Sequence, residues 1–324
     1  MAKILVTDGI EKSAAKELED LGHEIVEKFY ATDELIEQIG NFDAVIVRSA
    51  TKITKDVIDG AVATKRLKVI IRGGVGVDNI DVQYAKANGI NVANTPNASS
   101  LAVAELAIGH MFSLARYIYI SNVTMRNGQW NKKNYEGIEL RGKTLGLIGF
   151  GRIAGETARI AKAIGMKVIY YTRSGKKDGC SDFEYVEMEE LLKKSDFISL
   201  HIPYDKEKGS LIGTKEFEMM KDGVYLINCA RGGVVSEEAL LAALDSGKVA
   251  AAALDVFEQE PTRNEKLYTH SKVSLTPHIG ASTMEAQEKI GKEIVEIIKN
   301  QLGQENKYGT VQTFSRYQAQ ARVG

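Results

Sequence analysis

Thr144-Leu145-Gly146-Leu147-Ile148-Gly149-Phe150-Gly151-Arg152-Ile153-Ala154 is the stretch that decides the fold. Thr144 to Ile148 is a short apolar run of strand type, and from Arg152 a helical pattern continues through Ala163. Gly149 and Gly151 stand between them, with Ala154 in the third small position. That spacing lets a strand turn tightly into a helix and brings unpaired backbone N–H groups against a pyrophosphate. A second apolar run, Val168 to Tyr171, ends about 20 residues further on and completes a strand-helix-strand unit. In this context the spacing predicts dinucleotide binding at Gly149, Gly151, Arg152 and Ile153 rather than an ordinary turn. The overlapping run Gly137 to Thr144 matches phosphate-loop spacing, but it leads into a strand where that motif needs a helix, and it is set aside.

The same alternation spreads outward from this unit. Strand-type runs lie at Ile4 to Thr7, Glu24 to Val26, Ala44 to Val47, Val69 to Ile71 and Ile90 to Val92, separated by helical patterns. They resume after Tyr171 at Phe197 to Leu200, Val224 to Ile227, Ala250 to Leu254 and Val273 to Leu275. Strands alternating with helices imply parallel sheets covered on both faces. The turn cluster Asn94-Thr95-Pro96-Asn97 marks one boundary, and Ser99 is placed to cap a long apolar helix through Ala115. A second boundary falls near Thr276 to Gly280, before a helix from Met284 to Ile298. The predicted fold class is α/β, with two doubly wound parallel-sheet domains, the second a Rossmann dinucleotide-binding domain inserted in the first. Residues 1–95 and 283–324 would form the substrate-binding domain, and 96–282 the dinucleotide domain. The polar tail beyond Gln301 is assigned no structure.

Composition narrows the function classes. The 324 residues carry 42 basic and 43 acidic side chains, a balance that offers no basic surface for nucleic acid. The four-residue apolar run near Met1 is too short for a signal-peptide core, and the apolar stretch Ser99 to Ile120 is broken by Glu105, His110 and Arg116. Two cysteines, Cys180 and Cys229, form neither a disulfide framework nor a metal motif. The expectation is a cytoplasmic protein without a metal site or membrane partner.

Candidates for chemistry cluster at strand ends. His278 follows a short strand and precedes Gly280, Arg231 follows another in Asn228-Cys229-Ala230-Arg231-Gly232-Gly233, and Glu260 lies beyond a third. Parallel α/β sheets collect ligands at the carboxyl ends of their strands, which would bring the three together. A lone histidine there is as often structural as functional, so its partners matter. In the first domain Arg48-Ser49-Ala50-Thr51-Lys52 offers cations and hydroxyls, and Arg72-Gly73-Gly74-Val75-Gly76 offers backbone N–H groups. Both suit an anionic substrate, and both also read as ordinary turns. At the end of the second Rossmann strand, Thr172-Arg173 stands where a ribose-binding carboxylate is expected. Arg173 either meets a 2′-phosphate or is a solvated loop residue.

Taken in order, Arg48 to Lys52, Gly74-Val75-Gly76-Val77-Asp78-Asn79, Gly149 to Ile153, Asn228 to Gly233, Ala253 to Phe257 and Pro277 to Thr283 resemble the D-isomer-specific 2-hydroxyacid dehydrogenases. The resemblance covers roughly residues 3 to 300. It implies a homodimer, a catalytic set of Arg231, Glu260 and His278, and Val75, Arg152, Ile153, Thr172, Ile202, Cys229, Ala230, Asp255, His278, Gly280 and Ala281 around a dinucleotide. NAD is the cofactor it implies, with NADP left open by Thr172-Arg173. Longer members carry a C-terminal regulatory domain for which this chain leaves no room, so feedback by that route is not expected.

The residue chemistry fits hydride transfer on a D-2-hydroxy acid. His278 would exchange a proton with the 2-oxygen, Glu260 would stabilise its protonated form, and Arg231 would hold the carboxylate in a fork that lysine lacks. Arg48, Ser49, Arg72, Gly73, Gly74 and Val75 would line the substrate site. Arg48 with Lys52 favours 3-phospho-D-glycerate and serine biosynthesis; Thr172-Arg173 favours a glyoxylate or hydroxypyruvate reductase. A dinucleotide-sensing scaffold without catalysis is the remaining reading. Ala102, Leu106, Ile108, Met111, Phe112 and Ala115 spread apolar surface so widely over the helix 99–115 that a second copy is expected to cover it.

Overall fold

The computed structural model describes residues 1–303, and the expectation for the tail lies, from residue 304 on, outside the described residues. The chain divides into two compact units, Met1–Asn94 with the segment from Gly291 on, and Thr95–Ile290. The second division falls inside a helix rather than at residue 283.

In the first unit β1 (Lys3–Val6), β2 (Glu24–Glu27), β3 (Ala44–Val47), β4 (Val69–Arg72) and β5 (Asn91–Asn94) form one parallel sheet in the order β2-β1-β3-β4-β5. Helices α1 (Lys12–Asp20), α2 (Thr32–Gln38), α3 (Lys55–Val62) and α4 (Val82–Ala87) connect the strands. Every residue of β3 is buried, the reason its sequence reads as a continuous apolar run. Strand order reverses between β1 and β3, and the loops leaving these strands carry Asp8 and Arg48. Such a switch point is where an open parallel sheet leaves a crevice for a ligand.

In the second unit α5 (Ser100–Ala115) and α6 (Ile118–Arg126) precede the sheet. β6 (Thr144–Ile148), α7 (Arg152–Ala163), β7 (Lys167–Tyr171), β8 (Glu184–Tyr185), α8 (Met188–Lys194) and β9 (Phe197–Leu200) form its first half. α9 (Thr214–Met219), β10 (Val224–Asn228), α10 (Glu237–Asp245), β11 (Val249–Leu254), α11 (Glu265–Tyr268) and β12 (Val273–Leu275) form the second, and α12 (Met284–Leu302) follows. The seven strands are parallel in the order β12-β11-β10-β9-β6-β7-β8. Leu191, Leu192, Phe217 and Leu240 fill one core cluster; Ala107, Met111, Ala154 and Ala158 of α5 and α7 fill another. The loops leaving β6, β10, β11 and β12 carry Gly149, Arg231, Asp255 and His278, all on the carboxyl edge of the sheet.

Two expectations change. Ser99 does cap α5 by position, but its side chain makes no capping hydrogen bond. The wide apolar surface of α5 does not require a second copy, because Ile108, Met111 and Ala115 are buried inside this unit, where α5 packs on α7, β10, β11 and β12. Leu101 and Phe112 stay exposed, at 39% and 40%. Among the described residues no single helix is long and apolar enough to cross a membrane; α5 and α6 reach that composition only together, across a 65° bend.

Candidate active site

The strongest pairing expected from the sequence is present. His278 Nδ1 and Glu260 Oε2 lie 2.6 Å apart, and the backbone N–H of Phe257 donates to Glu260 Oε1 at 3.1 Å. Half-burial works against ionisation of Glu260, yet the hydrogen bond and charge of His278, the Phe257 N–H and the nearby Arg231 cation together hold its carboxyl below the ordinary range. Arg231, Glu260 and His278 thus sit in one electrostatic neighbourhood, as a proton-transfer site with an adjacent anion ligand requires.

Local chemistry explains how these side chains are held. Asn228 at the end of β10 accepts from Ala230 N at 3.1 Å and donates to Arg231 O at 2.9 Å, bending the chain so that Arg231 leaves the sheet edge. The Arg231 Nη1 donates to Ala230 O at 2.6 Å. A Cβ on Gly232 would lie 1.6 Å from the Phe257 carbonyl oxygen, so only glycine lets the Arg231 loop close on the loop that carries Glu260. That second loop is braced by buried Glu237. Its Oε1 accepts from Glu258 N at 2.9 Å, and its Oε2 from Asn264 Nδ2 at 2.8 Å.

His278 has a left-handed backbone, φ +54°, uncommon for a residue with a side chain. Asp255, 1% exposed, holds that turn: Oδ1 accepts from Ile279 N at 2.8 Å and Oδ2 from Gly280 N at 2.9 Å. The resemblance places Asp255 at the dinucleotide; here its oxygens serve the protein backbone. Cys229, also assigned there, is buried, and burial followed by the Asp255 charge pushes its thiol upward, so it is no thiolate nucleophile.

The strand-to-helix turn fits a dinucleotide. Gly149 has φ +91°, and a Cβ there would lie 2.4 Å from the His201 carbonyl oxygen. Gly151 caps α7 without any side-chain hydrogen bond, leaving the first N–H groups of a 12-residue helix for an anion. Arg152 is exposed and Ile153, Ile202, Ala230 and Ala281 are partly exposed around this edge, with Gly280 buried beneath. Thr172 is 8% exposed, and its hydroxyl donates to Gly175 O at 2.7 Å with Ser174 Oγ 3.2 Å away. The hydroxyl proton closes a turn and is spent, while Arg173 projects as an exposed side chain.

The remaining candidates lie in the first unit. Asp8 Oδ2 accepts from Arg48 N at 2.7 Å and Thr51 N at 3.0 Å, and Asn79 Nδ2 donates to Arg48 O at 2.7 Å and Thr51 O at 2.6 Å. This clamp shapes the Arg48–Ser49 loop. The Arg48 guanidinium has no polar partner among the described residues. The Arg72 guanidinium folds over Gly74 and donates to Gly73 O at 3.1 Å. Gly73 and Gly74 are buried, and Val75 O accepts from Asn94 Nδ2 at 2.6 Å. Asp8, Asn79, Glu237 and Asn228 have no role in the sequence reading; Asp8 stands two residues beyond β1 and Asn228 ends β10, the only signal available.

Comparison with known proteins places this arrangement. Residues 108–280 match the family model described as D-isomer specific 2-hydroxyacid dehydrogenase, NAD binding domain. A hydroxypyruvate reductase of Thermotoga maritima is 48% identical over 93% of this chain and 98% of its own length. A D-3-phosphoglycerate dehydrogenase of Methanocaldococcus jannaschii is 46% identical over 93% of this chain, which spans 58% of that protein. An acyclic imino acid reductase solved with NADPH and D-Arg superposes with a TM-score of 0.84 at 33% identity, covering 93% of this chain and 97% of its own. With two parallel α/β units and a nucleotide-binding turn to match, the chain belongs to the D-isomer specific 2-hydroxyacid dehydrogenase family and is an oxidoreductase that uses NAD or NADP.

Proposed function

We propose that Arg231, Glu260 and His278 carry the chemistry, and that the substrate pair is 3-phospho-D-glycerate and 3-phosphohydroxypyruvate, a step of serine biosynthesis. The acid–base assignment rests on the 2.6 Å bond between His278 and Glu260. Gly149, Gly151, Arg152 and Ile153 would hold the dinucleotide phosphates. When bound, the reduced nicotinamide supplies the hydride that adds to C2. His278, as imidazolium, gives its proton to the keto oxygen and in oxidation takes it back; Glu260 stays ionised and balances the imidazolium charge. Arg231 grips the substrate carboxylate and draws electron density from the carbonyl.

The phosphate assignment is carried by Arg48, a cation whose guanidinium has no polar partner among the described residues, on a loop clamped by Asp8 and Asn79. Arg48→Ala is expected to lower kcat/KM for phosphohydroxypyruvate about fivefold, and for glyoxylate less than twofold, since only the first offers a phosphate. Equal losses on the two substrates would remove Arg48 as a phosphate ligand. A second reading, a glyoxylate or hydroxypyruvate reductase, is favoured by the near full-length similarity to the Thermotoga reductase, whereas the chain spans little more than half of the phosphoglycerate dehydrogenases it matches. Steady-state rates on phosphohydroxypyruvate, hydroxypyruvate and glyoxylate with each cofactor decide between them.

Glu260 also sets a pH dependence. Its depressed pKa means the charged pair survives below the ordinary 4.5, and its stabilising contribution is present above that value and lost as pH falls through the lowered one. In Glu260→Gln the imidazolium has no counter-charge, so the alkaline fall-off of keto-acid reduction should move to lower pH. An unmoved profile would separate the two residues functionally.

We further read the chain as a cytoplasmic homodimer. Leu101, Phe112, Ile118, Val123, Met125 and Trp130 are large apolar side chains left exposed over one stretch of chain from α5 to just beyond α6. Light scattering at micromolar concentration is expected to give twice the 35.5 kDa chain mass, and a monomer would refute the dimer.

A further inference from the structure

His110 stands in α5 between Gly109 and Met111, on a largely apolar helix, and is 4% exposed. A buried imidazole costs stability unless its N–H finds a partner. Its Nε2 lies 3.1 Å from Thr276 Oγ1, and Thr276 Oγ1 donates to Asp255 Oδ1 at 2.6 Å. A threonine hydroxyl has one proton, and here Asp255 receives it. The Thr276 oxygen therefore accepts, and His110 Nε2 carries the hydrogen. Burial disfavours the charged ring, more than the Asp255 charge restores it, which fits a neutral Nε2–H tautomer. Asp255 then grips Ile279 N and Gly280 N, the two amides directly after His278. The hydrogen bonds converge on Asp255: His110 donates to Thr276 and Thr276 to Asp255 from the α5 side, while the Ile279 and Gly280 amides donate to it from the left-handed turn of His278.

We propose that His110 is a positioning residue for the reaction, orienting Thr276 and Asp255 so that the His278 turn is held in its left-handed conformation. The proposal rests on the reading of His278 as the acid and base. It assigns to α5 a role beyond packing: a buried imidazole on this helix supplies the donor that sets which way the Thr276 hydroxyl points, toward Asp255.

The test uses His110→Leu, which keeps most of the volume and deletes the donor, and His110→Gln, whose amide can donate from a similar place. Hydrogen exchange should quicken about tenfold in the segment 276–283 of the Leu variant, with β10 and α7 unchanged. Its kcat should fall about fivefold while KM for the dinucleotide stays within about twofold, and Gln should recover most of kcat. A folded Leu variant with parental exchange and parental kcat overturns the proposal, as does a Gln variant no better than Leu. If Leu prevents folding, Thr276→Val cuts the same chain one link later and carries the same expectations. Where the Leu variant folds, adding His110→Leu to Thr276→Val should cost nothing more; additive losses would show two independent effects and overturn the proposal. His278→Asn separates the two readings. Full activity in that variant would remove His278 as the acid and base, while loss of activity there beside a parental His110→Leu would remove the present proposal alone.

Discussion

Arg231→Lys is expected to lower kcat/KM for the keto acid about thirtyfold, by about 2 kcal/mol, with the fold unchanged. The substitution keeps the charge, so any loss measures geometry. Arg231 Nη1 donates to Ala230 O at 2.6 Å, and a planar guanidinium has the geometry to keep such an anchor while gripping a carboxylate. Lysine has a single nitrogen on a flexible stem. If it reaches Ala230 O it turns from the substrate, and if it reaches the substrate it gives up the anchor. The surrounding backbone cannot shift to compensate, because Gly232 packs directly on the Phe257 carbonyl and Asn228 ties the loop at both ends. Steady-state rates with saturating reduced cofactor, beside circular dichroism of both proteins, provide the measurement. An efficiency within threefold of the parent would take Arg231 out of the catalytic set.

What the sequence revealed, and what it concealed, follows from how each feature is built. Buried parallel strands such as β3 and β9 must be apolar on both faces, so they stand out as unbroken runs. β8 is only Glu184–Tyr185 at the sheet edge, too short for any periodic signal, and α6 carries Ser121, Asn122 and Thr124 with no buried residue to mark a face. Arg231, Glu260 and His278 were legible because each follows a strand and because parallel sheets gather such ends. The groups that hold them were not. The resemblance places Asp255 at the dinucleotide; its backbone partners, Ile279 N and Gly280 N, are set by a turn 24 and 25 residues away, which residue type does not announce. The clamp of Asp8 and Asn79 on the Arg48 loop joins positions up to 43 residues apart, and backbone hydrogen bonds of that kind leave no mark in residue type. The Thr172 hydroxyl gives its proton to Gly175 O, a bond that depends on a turn conformation and not on spacing.

That spent hydroxyl sharpens the expectation for cofactor choice. An aspartate at 172 would accept hydrogen bonds from the ribose hydroxyls and repel a 2′-phosphate. Thr172 does neither, being buried with its proton committed within the turn. Discrimination then falls to the loop that follows. There Arg173 is exposed, Lys176 is exposed as well, and Lys177 N is tied to the Tyr170 hydroxyl at 3.0 Å, which anchors the segment to β7. A 2′-phosphate near this anchored, basic loop gains charge-assisted hydrogen bonds that a free hydroxyl cannot, weakened by exposure and salt. NADPH is therefore expected to serve at least as well as NADH. Thr172→Asp should shift the ratio of kcat/KM values toward NADH by tenfold or more, about 1.4 kcal/mol, through repulsion of the phosphate rather than through any gain in the ribose bonds alone. Raising the salt should shrink the NADPH advantage of the parent and leave its NADH efficiency nearly constant, because only the first depends on Arg173 and Lys176. A parent protein that prefers NADH more than tenfold at moderate salt would mean that Arg173 is a solvated loop residue and that the missing carboxylate is replaced by other ribose contacts.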